Sequence, residues 1–165
     1  MSDMVYLVRG AKLNCIYGSH IRKLNLPKCH GVYATGHPMV HELDCKSKEN
    51  ISSFGVCSSP MVSAMNPSPP EVVLKKVKYD ENLNPVETGE LVKGPMCIPM
   101  ILQEKWQNTY DITRIVDNGN KDPGDKGKDK DSEEKGYPAV TTSSFATCYC
   151  GGKISPVTSG QEQRR

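Results

Sequence analysis

Apolar and polar residues alternate in short runs along most of the chain, and each run is cut off after four to nine positions. "MVYLV" (4–8), "KLNCIY" (12–17) and "IRKLNL" (21–26) lead, the last with clean alternation, and "PMVHEL" (38–43) follows. A period of two is the pattern of half-buried strands. "EVVLKKVKY" (71–79) is the strongest strand by β-branched content, and "YDITRIV" (110–116) and "KISPV" (153–157) complete the set. Turn-forming clusters separate the runs: "YGSH", "ATGHP", "NPSPP", "DENLNP" and "KGP". Only "PMILQEKWQN" (99–108) reads as helix, over two or three turns. The pattern predicts a mostly β fold of short strands with one or two short helices.

One block breaks the alternation. Residues 117–136, "DNGNKDPGDKGKDKDSEEKG", carry no apolar side chain apart from proline, and their charges alternate in sign. Such a stretch buries no surface and predicts a solvated, flexible loop inside a single domain spanning 1–165, with order resuming at "GYPAVTTSSF".

Composition sharpens this picture. Two Phe, one Trp and a hydrophobic fraction of 36% leave little core material, while Gly 14 and Pro 12 disfavour helix interiors. The net charge of +2 comes without a basic stripe, which argues against nucleic acid as a partner. The N-terminal "MSDMVYLVRGAKLNC" lacks the apolar core of a signal peptide, and no run approaches the roughly 20 apolar residues of a membrane span. The expectation is a soluble protein made in the cytoplasm, without stable membrane anchoring. Seven cysteines, an odd number in a reducing compartment, point to metal ligation or burial instead of a disulfide framework.

Four of these cysteines sit in similar settings: "KLNCIYG" (Cys15), "FGVCSSP" (Cys57), "GPMCIPM" (Cys97) and "FATCYCGG" (Cys148). The intervals are 42, 40 and 51 residues, the last shortened to 31 once the charged block is set aside, so three comparable excursions of chain separate four thiols. Should they converge, four thiolates complete the tetrahedral shell zinc prefers in closed structural sites, leaving no position for a reactive water. The alternative is four unrelated buried thiols. A second set competes: Cys29, His30, His37, His41 and Cys45, of which the last three step by four, as ligands on one helix face would. Gly36 and Pro38 flank His37 and oppose a helix there, which favours turn or surface histidines. His20 falls in a turn with no obvious companion. The sequence carries no nucleophile elbow, phosphate loop, His-Glu-x-x-His or Cys-x-x-Cys, so an enzyme is not expected.

The segments "VRGAKLNCIYGS", "LNLP", "ENISSFGVCSSP", "NPSPP", "GPMCIPM" with Trp106, and "CYCGGKI" with "SGQ" resemble, in that order, the cysteine-rich branch of the PAAR-like spike-tip family. The chain departs from that pattern in its charged insertion, in the additional Cys29, Cys45 and Cys150, and in the strand-like "EVVLKKVKY". The resemblance implies a small conical β fold with a pseudo-three-fold arrangement, holding one metal near its apex. Zinc would be held by Cys15, Cys57, Cys97 and Cys148, with iron left open and Cys150 competing with Cys148. It further implies a broad base seated on a trimeric VgrG-type spike of a type VI secretion or related contractile injection system, with an effector or cargo as a further partner. Assembly would take place in the cytoplasm, and firing would carry the protein out of the cell or into a target. A zinc-dependent interaction module or assembly factor unrelated to injection is the alternative.

Overall fold

A computed structural model describes residues 4–61, 70–116 and 136–162. The charged block lies outside these residues except for Gly136, and so does most of "NPSPP". The fold is mostly β: among the described residues ten strands form one four-stranded and three two-stranded antiparallel sheets.

The four-stranded sheet has the order β2–β1–β10–β9, from β2 (Arg22–Lys23), β1 (Lys12–Cys15), β10 (Lys153–Pro156) and β9 (Ala146–Thr147). Its registers pair Leu13 with Pro156, Cys15 with Ile154 and Ile154 with Ala146. In β1, Leu13 and Cys15 point inward while Lys12 and Asn14 do not, as strand alternation requires. β3 (Tyr33–Ala34) and β4 (His37–Pro38) form a hairpin whose two linking residues, Thr35 and Gly36, both have positive φ (52° and 80°). That backbone matches the twist of the flanking strands, so "ATGHP" is the turn its composition predicts.

The strongest predicted strand is β5 (Glu71–Tyr79), matching its sequence run residue for residue. Its partner β6 (Pro85–Pro95) went unforeseen: "VETGELVKG" is charged and contains Gly89 at φ 85°, so pairing with β5 rather than intrinsic preference makes it a strand. β7 (Tyr110–Ile115) pairs with β8 (Tyr137–Ala139) across the charged block. The predicted helix at 99–108 is instead a single 3-10 turn, Leu102–Glu104, with Gln103 and Glu104 at φ 61° and 54°. The segment is held by its buried ends, Ile101 bridging to Cys148 and Trp106, so tertiary anchoring overrides helix propensity. Among the described residues no helix is long and apolar enough to cross a membrane.

Three distant segments close on one another in a ring. The Leu7 N–H donates to the Val140 carbonyl (2.9 Å), the Val140 N–H to Val40 (3.1 Å), and the Val40 N–H to Leu7 (3.3 Å). All three side chains are fully buried. Bridges Tyr6–Thr141, Val8–Met39 and His41–Ala139 flank this closure. The main core combines Leu7, Leu13, Leu24, Phe54, Trp106 and Ile154 with six buried cysteines, so sulfur supplies much of what aromatic residues supply elsewhere.

Candidate metal centres

Five thiols from four separate segments are buried in the main core. Cys15 ends β1; Cys57 bridges Gly18 and donates its N–H to Pro95 (2.9 Å). Cys97 follows β6 and donates its N–H to Gly55 (2.7 Å), while Cys148 bridges Ile101. "CYCGG" folds as a tight turn: the Gly151 N–H reaches the Cys148 carbonyl (2.9 Å) and the Cys148 N–H the Gly152 carbonyl (2.8 Å). This turn brings Cys150 Sγ to 3.4 Å from Cys148 Sγ and 3.9 Å from Cys57 Sγ. A Cβ on Gly152 would stand 2.8 Å from Cys15 Sγ, so only glycine lets the returning backbone pass that thiol.

Electrostatics link the same residues. Burial, with negative charge at Cys15, Cys57 and Cys148 adding to it, raises the Cys97 thiol to about 12. Burial also raises Cys15, with Cys150 and Cys148 adding to it, and raises Cys148. Alone, then, these groups stay protonated; a cation among them reverses that balance, because metal ligation needs thiolates. The four cysteines singled out by spacing are thus packed in one core, and Cys150, whose role the sequence left open, joins them.

The second set resolves differently. His30 Nε2–H donates to Asp44 Oδ2 (2.8 Å), and His41 Nδ1 lies 3.7 Å from the same oxygen. The two imidazoles stack with centroids 4.1 Å apart, and all three residues are buried. One ligand atom from each falls within 4.8 Å of the others, so the group could hold a metal ion. These histidines are therefore buried and not on the surface, His41 opening the turn to Asp44, and no helix aligns them. His37, in β4, and the cysteines Cys29 and Cys45 do not belong to the group. Sequence reasoning missed Asp44; the available signal was "HELD", a carboxylate three residues after a histidine, which can accept the histidine's backbone N–H in a turn. It does so here, at 2.8 Å.

Two further side chains depart from expectation. His20 is buried, with Nδ1 2.7 Å from Ser19 Oγ and Nε2 3.1 Å from the Lys75 carbonyl, so it ties β5 to the body. Cys29 is half-buried; burial raises its thiol, but contact with the Tyr33 hydroxyl (3.0 Å) and the Gly31 N–H (3.1 Å) lowers it below the ordinary value overall.

No curated protein and no solved structure matches the chain. A family model does match, over residues 7–121, which include Cys15, Cys57, Cys97 and the histidine–aspartate group. The chain therefore belongs to the family described as Domain of unknown function (DUF4280).

Proposed function

We propose that this protein is a metal-stabilised tip that caps the trimeric VgrG-type spike of a type VI secretion or related contractile injection system. The observation that carries the reading is the burial of Cys15, Cys57, Cys97, Cys148 and Cys150 in one hydrophobic core, with Cys150 Sγ 3.9 Å from Cys57 and 3.4 Å from Cys148, at the residues on which the PAAR-like resemblance rests. Sulfurs each about 2.3 Å from a tetrahedral ion lie about 3.8 Å apart; Cys57 and Cys150 stand at 3.9 Å, whereas no three of these thiols lie within 4.8 Å of one another, so side-chain rotation would have to complete the site. Cys15, Cys57, Cys97 and Cys148 would hold the ion, with Cys150 close enough to replace Cys148; iron suits the same thiolates. When bound, the ion supplies a cross-link between segments remote in sequence.

The chain's own residues do the rest. Gly152 leaves room for Cys15, and the Pro95 and Gly55 carbonyls orient Cys57 and Cys97 through their N–H groups. The cyclic Leu7–Val140–Val40 closure supports a pseudo-three-fold cone, since it joins three excursions of a single chain in rotation. One polypeptide capping a three-fold partner must offer three roughly equivalent faces. Strand edges at the base would continue the spike's β-structure by backbone pairing, which also covers them. Such a cap sharpens and stiffens the spike without catalysing a reaction, and can carry an effector on its exposed surface.

Protein purified without an affinity tag should contain about one thiolate-bound zinc per chain, and Cys57→Ser should lose it and melt far earlier, structural zinc contributing about 10–16 kcal/mol in small folds. The protein should co-elute with a trimeric VgrG-type spike. Thiolate-bound metal without spike binding would favour the interaction module; absence of any thiolate-bound metal would sink both readings.

A further inference from the structure

We propose that His30, His41 and Asp44 form a second metal site, separate in chemistry from the thiols, that takes a first-row divalent cation of the zinc type. The ligand set is two imidazoles and one carboxylate, which suits zinc and its neighbours and leaves at least one coordination position open. The distances suit a shared ion. Ligand atoms about 2.0–2.2 Å from one cation stand roughly 3.0–3.5 Å from each other. His30 Nε2 and His41 Nδ1 lie 2.8 and 3.7 Å from Asp44 Oδ2, on either side of that range. The two stacked rings would have to turn toward the ion, which would replace the proton that His30 now shares with Asp44.

The surroundings hold the ligands in place. Trp106 donates its indole N–H to the Asp44 carbonyl (2.9 Å), and the His41 N–H donates to Asp44 Oδ2 (2.8 Å). The Leu43 N–H donates to His41 Nδ1 (3.2 Å), so that nitrogen carries no proton, and an ion would have to displace this hydrogen bond to reach its lone pair. Tyr137 packs on His41 with ring centroids 4.8 Å apart. Supporting hydrogen bonds of this kind orient ligands at metal sites. Cys45 is not part of the set, since its sulfur is turned to the Glu42 carbonyl at 4.0 Å.

The test uses the full chain with its thiols loaded. Imidazole nitrogen resonances followed by NMR during Zn²⁺ titration should move saturably for both His30 and His41. Asp44→Asn should weaken that binding by more than about tenfold, the loss expected when even a supporting partner is removed. The thiolate-to-metal absorption of cobalt-substituted protein should stay unchanged in Asp44→Asn, because it reports the cysteines alone. Failure of the thiol reading would remove that absorption and leave the imidazole shifts in place. Rings that stay unmoved up to millimolar Zn²⁺ would overturn the second site, as would undiminished affinity in both Asp44→Asn and His30→Gln. Should either variant fail to fold, the wild-type titration decides the matter alone.

Discussion

The β5–β6 hairpin contains the two longest strands described, yet none of its residues is buried. The β2–β1–β10–β9 sheet has strands of two to four residues and buries Leu13, Cys15, Ala146 and Ile154. Length of regular structure and depth of burial run in opposite directions here. A two-stranded ribbon is marginal in water by itself. This one leans on the body through a few points: the Lys75 carbonyl 3.1 Å from His20, and the Tyr79 hydroxyl accepting the Ile21 N–H at 2.7 Å. The short strands need no such props, because their side chains share a core with sulfur and with Phe54 and Trp106. Stability therefore resides where the backbone is least regular.

Truncating the body should produce the largest effect on this contrast. Phe54→Ala is expected to cost about 3–5 kcal/mol in denaturant unfolding, since Phe54 is wholly buried. A cost below that of a surface change would place the stabilising centre elsewhere. Gly152→Ala should cost about 1–3 kcal/mol by crowding Cys15, and should weaken metal retention as well; unchanged retention would separate the turn from the thiols.

Alkaline titration acts more gradually. Burial raises Cys45 and Cys97 to about 12, well above the ordinary value near 9. The folded metal-free chain thus keeps protons that the unfolded chain releases in this interval. Its stability should be full below the ordinary thiol range and fall as pH rises toward 12, whereas metal-loaded protein, with its ligand thiols already ionised, should lack the Cys97 share of that fall. Circular dichroism melts at stepped pH would reveal a flat profile if these thiols are not buried as described. The smallest effect belongs to the hairpin surface. Glu87→Gln, which removes the exposed pair with Lys75 (3.4 Å), should change stability by less than about 1 kcal/mol. A larger loss would mean that the ribbon contributes more than its exposure implies.

The sequence announced some of this better than the rest. β5 was legible because Val72, Val73 and Val77 carry their preference locally. β6 was not, since its strand character comes from a partner pairing Lys93 with Val73 and Glu87 with Val77. The helix expected around Leu102 failed for a related reason: the burial of Ile101 and Trp106 decides the path between them. The histidines drew notice by spacing, but helical periodicity was the wrong ruler. His30 meets His41 because the β3–β4 hairpin folds the chain back between them, and Asp44 enters through a turn. Local patterns reveal local preferences; meetings of distant residues become visible only once the loops between them are placed.

The ring joining Leu7, Val40 and Val140 has a bearing on biogenesis. Its third member, Val140, leaves the ribosome 100 residues after Val40, so the earlier segments must wait, partly unpartnered, during translation. Closing contacts across such intervals is entropically demanding and favours slow maturation. During that wait a nascent chain with several reduced thiols is exposed to misassembly, and a chaperone or early cation capture would shorten the hazard.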